Sequence, residues 1–135
     1  MARELDCDLD GRRILVVEDE VMVSWLLEDM LVALGGVVVG PAARIDQALS
    51  LIAVQTPADP LAAAVVDVNL NGEMSYAVAD ALVAGGVPFM FSSGYESHRL
   101  PPRYGSVPVL RKPYQEQDLA RILAGLLTPP ADAAL

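Results

Sequence analysis

The chain has 135 residues, 53% of them hydrophobic, enough for one domain with a real core and too apolar for a disordered segment. A net charge of −9 argues against nucleic-acid binding, which needs a basic face, and no apolar run approaches the roughly 20 residues of a membrane span. The acidic start, Met1 to Asp8, lacks the regions of a signal peptide, and the single cysteine and histidine, Cys7 and His98, can assemble neither an internal disulfide nor a zinc cluster, so a soluble protein of the reducing cytoplasm is expected.

Residues 1–11 read as a mobile lead-in. Arg12 to Val17 forms a first strand and runs into the acidic loop Glu18-Asp19-Glu20. A helix from about Glu20 to Leu34 stops at Gly35-Gly36, a C-terminal signal. Val37 to Gly40 is a short second strand, and Arg44 to Gln55 a helix with Ile45, Ala48, Leu49 and Ile52 on one face. The stretch Ala62-Ala63-Ala64-Val65-Val66-Asp67 is the pivot of the chain. Its continuous apolar run describes a strand buried on both faces, as in a parallel sheet covered by helices. A helix from about Met74 to Ala84 ends at Gly85-Gly86, and Val87 to Ser92 is strand four. Ser93 to Gly105 contains Pro101-Pro102 and fits at most one short turn of helix. Strand five, Val107 to Leu110, leads into Arg111-Lys112-Pro113 and a last helix from Tyr114 to Leu127. Thr128 to Leu135 reads as a tail, and no attached output domain is expected.

This alternation implies a doubly wound α/β domain over residues 12–127, with a parallel sheet, right-handed crossovers and helices on both faces. Polar residues then gather at the C-terminal ends of the strands: Glu18 and Asp19 after strand one, Asp67 after strand three, Ser93 after strand four, Lys112 after strand five. In open α/β sheets that edge is where ligands bind. Three carboxylates in one cleft repel each other, and a hard divalent cation such as magnesium relieves the repulsion. With Lys112 as a point charge and a serine hydroxyl beside Gly94, the set is equipped for in-line phosphoryl transfer to a carboxylate.

The segments Ile-Leu-Val-Val-Glu-Asp-Glu, Val-Val-Asp-Val-Asn-Leu, Phe-Ser-Ser-Gly-Tyr and Leu-Arg-Lys-Pro-Tyr, in this order and spacing, resemble a response-regulator receiver domain over residues 12–127. The resemblance implies a flavodoxin-like (βα)5 fold with strand order 2-1-3-4-5, an order the receiver fold itself exemplifies. It also implies Asp67 as phosphoacceptor, magnesium bound by Glu18, Asp19, Asp67 and the backbone carbonyl of Asn69, and Ser93 and Lys112 on the phosphoryl group, with Ser92 the alternative hydroxyl. The phosphodonor would be a histidine kinase or a histidine phosphotransfer protein, and the output contact with a further protein.

Three positions depart from the family pattern. Val109 stands where receivers carry an aromatic switch residue, Asn71 replaces a common proline after the aspartate, and helix four is nearly missing. Phe-Ser-Ser-Gly-Tyr resembles the Phe-Ala-Thr-Gly-Tyr motif of a subgroup of stand-alone bacterial receivers in which a flexible segment replaces that helix, so switching by loop ordering is expected. On a helical wheel the first helix buries Val23, Leu26, Leu27, Met30 and Leu34 and turns Glu20, Ser24 and Glu28 to water. Val21, Trp25 and Val32 are left as a second apolar stripe, suited to a phosphodonor or, as runner-up, a second copy of the chain. The competing readings are a haloacid-dehalogenase-like phosphatase, which wants an aspartate where Asn69 stands, and a binding module that signals without phosphorylation.

Overall fold

The computed structural model describes residues 8–94 and 100–128. A five-stranded parallel sheet runs β2 (Val37–Ala42), β1 (Arg13–Val17), β3 (Leu61–Asp67), β6 (Phe89–Ser93), β7 (Val109–Arg111), which is the expected order 2-1-3-4-5. The two strands absent from the sequence reading, β4 (Asn69–Leu70) and β5 (Glu73–Met74), form a separate antiparallel pair directly after β3.

Alternation along the strands builds two cores. Ala64 and Val66 of β3 face one way, with Leu15, Val17, Phe89 and Phe91, and are covered by α2 (Ile45–Ala53) and α3 (Tyr76–Ala84) through Ala48, Ile52, Val78 and Leu82. Ala63 and Val65 face the other way, with Ile14, Val16, Met90 and Leu110, under α1 (Val21–Ala33) and α4 (Glu116–Leu127) through Leu27, Leu31, Leu119 and Leu123.

Two expectations are corrected. Residues 8–11 are not a mobile lead-in: Leu9 is fully buried, and its N–H donates to the Leu34 carbonyl at 2.8 Å. The Gly35-Gly36 pair makes room for it. Gly35 takes a φ of +90° to end α1, and a Cβ on Gly36 would come within 2.6 Å of the Leu9 side chain. The wheel of α1 also shifts. Leu26 is exposed, Leu31 is buried and Val23 and Met30 are half-buried, while Ser24 is buried because its hydroxyl donates to the Val21 carbonyl at 2.8 Å.

Among the described residues of the helix-four segment the helical structure is one 3-10 turn, Pro102–Tyr104, which begins within the proline pair. The residues between Gly94 and Leu100, on which the loop-ordering expectation largely falls, lie outside the described residues. Tyr104 pins the far end of the segment. Its ring is buried against Phe91, Phe89 and Tyr76, and its hydroxyl donates to the carboxylate of Asp80, which also pairs with Arg103. Tyr104→Ala should therefore lower the unfolding free energy by about 3–5 kcal/mol in urea titrations, the cost of emptying an aromatic core site, whereas Arg103→Ala should leave the midpoint near wild type because its ion pair is exposed.

Candidate functional site

Asp67 is the last residue of β3, and only 6% of it reaches solvent. The strand end is held from behind by Ser75, a fully buried residue whose hydroxyl donates to the Asp67 carbonyl at 2.5 Å. One Asp67 carboxylate oxygen, Oδ1, accepts the N–H of Asn69 at 3.1 Å, and Oδ2 accepts the Lys112 ammonium at 2.9 Å. Glu18, directly after β1, is 2% exposed; its Oε2 accepts the N–H of Glu20 at 3.1 Å and its Oε1 lies 3.2 Å from Lys112 Nζ. Glu20 reaches the same ammonium at 3.5 Å. Asp19 turns the other way and accepts the N–H of Asn71 at 3.0 Å.

Asn71 is held there by a tight hairpin. Asn71 and Gly72 take φ of 53° and 87° between β4 and β5, the positive pair that suits a two-residue hairpin turn. The Gly72 N–H donates to Asn69 Oδ1 at 2.7 Å. Asn-Gly is the strongest short hairpin signal a sequence carries, so this element was legible at the position read only as a missing proline.

Carboxylate oxygens of Glu18, Asp19 and Asp67 lie within 4.8 Å of one another. Burial and then the charge of Asp67 push Glu18 up to about 7, against the opposing pull of the Glu20 N–H and Lys112. Burial works against the Lys112 ammonium, but the hydrogen bond and charge of Asp67 outweigh it, and the lysine is held above its ordinary value. A carboxylate driven toward neutrality beside two others, in an all-oxygen ligand set, is a fit for a hard divalent cation.

Ser93 ends β6; it is buried, and its carbonyl accepts the Lys112 N–H at 2.9 Å, tying β6 to the lysine loop. Ser92 pairs in register with Asp67, and its Oγ lies 2.8 Å from the Tyr114 hydroxyl. Tyr114 is a site residue the sequence reading did not single out. Its buried hydroxyl also lies 3.3 Å from Glu18 Oε1, and the only signal for it was its place after Lys112-Pro113. Val21, Trp25 and Val32 are exposed on α1 at 58%, 60% and 62%, joined by Met22 and Leu26. Cys7 and His98 lie outside the described residues.

The fold and site together define a doubly wound α/β domain with a lysine-bridged acidic cluster at its switch point. No family model matches the chain, and no curated protein does. Among solved structures, SdrG from Sphingomonas melonis Fr1 shares 37% identity at a TM-score of 0.77, covering 88% of this chain and 98% of that one. The BeF3-activated conformation of SdrG from Pseudomonas melonis Fr1 shares 36% at 0.71, covering 86% and 96%. The receiver domain of the PhyR response regulator from Erythrobacter litoralis shares 26% at 0.71, covering 91% and 98%. The chain belongs to the response-regulator receiver family. Among the described residues no helix is long and apolar enough to cross a membrane.

Glu18 holds its proton more tightly in the fold than at the ordinary value of 4.5. The folded chain therefore binds more protons between about 4.5 and 7, and stability should fall as pH rises through that window. The total loss is roughly 3 kcal/mol at most. In metal-free buffer Glu18→Gln should flatten this slope and exceed wild type in urea midpoint at pH 8; an unchanged slope would refute the assignment.

Proposed function

We propose that the protein is a single-domain response regulator of a two-component phosphorelay, taking a phosphoryl group from a phosphohistidine donor onto Asp67. Residues 12–127 act as the receiver unit, and residues 128–135 as a tail. The observation that carries the reading is the contact of Asp67 with Lys112 at 2.9 Å inside the Glu18–Asp19–Asp67 cluster at the sheet's C-terminal edge.

In this reaction an Asp67 carboxylate oxygen attacks phosphorus, the P–N bond to the donor imidazole breaks, and the imidazole leaves with the electron pair. The Lys112 ammonium transfers its contact from Asp67 to a phosphoryl oxygen and offsets the incoming charge. Ser93, at the end of β6, supplies a hydroxyl to the same group. Glu18, Asp19, Asp67 and the Asn69 carbonyl would hold magnesium, which would supply positive charge against the clustered carboxylates and the incoming phosphoryl group. The protein promotes its own phosphorylation and dephosphorylation and signals by protein contact in the cytoplasm. A dehalogenase-type phosphatase is disfavoured, since Asn69 offers no acid and its amide oxygen is occupied by the Gly72 N–H.

The partner surface proposed is the apolar stripe of Val21, Trp25 and Val32, extended by Met22 and Leu26, on the helix that starts two residues after Asp19. A histidine kinase or phosphotransfer protein is the proposed occupant, with a homodimer as the second reading.

Incubation with acetyl phosphate and magnesium should add one phosphoryl group by intact mass, and Asp67→Ala should abolish the addition while keeping the native circular dichroism spectrum. Equal uptake by the variant would end the proposal. Trp25→Ala should slow transfer from the phosphohistidine donor without changing acetyl phosphate labelling. Wild-type rates in both assays, with the oligomeric state unchanged, would remove the stripe as an interface.

A further inference from the structure

We propose that Tyr114, seated on Ser92, is a positioning residue that fixes the Glu18 carboxylate for magnesium binding. The inference rests on the metal-dependent reading above and adds to it two residues of this chain that hold a ligand rather than touch the metal.

Glu18 is buried, so its orientation is set by its neighbours rather than by water. Besides the neighbouring Asp67 carboxyl, its donors are the Glu20 N–H on Oε2, and Lys112 and the Tyr114 hydroxyl on Oε1. Lys112 is the least dependable of the three, because it is shared with Asp67 and Glu20 and must turn toward the phosphoryl group during transfer. Tyr114 then remains as the side-chain donor on Oε1. Its ring is built into the core beside α1 and α4.

Ser92 completes the arrangement. A tyrosine hydroxyl has one hydrogen and serves one acceptor at a time. Both contacts are satisfied when the Ser92 hydroxyl donates to the Tyr114 oxygen, at 2.8 Å, and Tyr114 donates to Glu18, at 3.3 Å. Ser92 stands where the motif of the resembling subgroup carries alanine, so this support belongs to the present chain. Partners that orient a metal ligand typically govern 10- to 100-fold in affinity, and a neutral donor at this distance belongs at the low end.

The test is a calorimetric magnesium titration at pH 8 of wild type, Tyr114→Phe, Ser92→Ala, Glu18→Gln and the Tyr114→Phe/Glu18→Gln double variant. Tyr114→Phe should raise the magnesium Kd about tenfold, Ser92→Ala should raise it less, and the double variant should bind no worse than Glu18→Gln alone. This coupling separates positioning from a general loss of structure. An unchanged Kd in Tyr114→Phe, or an equal loss in the Glu18→Gln background, would overturn the proposal. Should Tyr114→Phe not fold, Ser92→Ala decides, and a wild-type Kd there overturns it. Acetyl phosphate labelling of wild type runs alongside: absent labelling defeats the phosphoacceptor reading itself, whereas intact labelling with uncoupled Kd values defeats only the role of Tyr114.

Discussion

One ammonium group holds the site together. Lys112 lies within 3.5 Å of carboxylate oxygens from Glu18, Glu20 and Asp67, which arrive on β3 and on the loop after β1. At an effective dielectric near 20, unit charges about 4 Å apart attract by about 4 kcal/mol, while taking each ion out of water costs several. One cation against three anions therefore offsets part of the cost and leaves the rest standing. The remainder is visible in Glu18, whose proton is retained up to about 7. The site is a frustrated one, bridged by Lys112 and held in place by the sheet, and this is what gives an added cation something to relieve.

The sheet can bear that load because the strands beneath the site are apolar on both faces and sealed by helices. Asp67 and Glu18 are each reached at the end of such a strand, and short backbone contacts keep them from retreating. Ser75 grips the Asp67 carbonyl, and the β4–β5 hairpin reaches across to Asp19. The opposite core depends on Tyr104, which fills the space beside Phe91 from a turn rather than from a helix. Val109, in the position where an aromatic was expected, is partly exposed on β7 and takes no part in either core. The aromatic bulk on this side of the sheet comes from Phe89 and Phe91 of β6, Tyr76 of α3 and Tyr104 of the 3-10 turn.

Much of this was legible in the sequence, for physical reasons. Continuous apolar runs ending in Glu18 and Asp67, and the run from Val107 to Leu110 before Arg111-Lys112, fix both strand positions and the edge at which the polar groups emerge, and Pro101-Pro102 allows only a short turn of helix. What escaped depends on contacts between distant residues. Leu9 looks like part of a polar lead-in until Gly36 is seen to leave it a seat. Ser24 looks solvated until its hydroxyl is satisfied within its own helix, where it is buried while Leu26 is exposed. Tyr114 looks like a helix-starting residue, and only the convergence of β1, β6 and the lysine loop brings it to Glu18 and Ser92.

The edges of the sheet carry a consequence of their own. A parallel sheet of five strands ends in two rows of unpaired backbone groups, each a template for a foreign strand. On one side β7 is three residues long, too short to hold a guest strand firmly. On the other, β2 carries Gly40 and Pro41 just before its last residue, Ala42; the glycine takes a φ of +98°, and the proline has no N–H to offer. Extension of the sheet by strand addition is thereby discouraged at both margins.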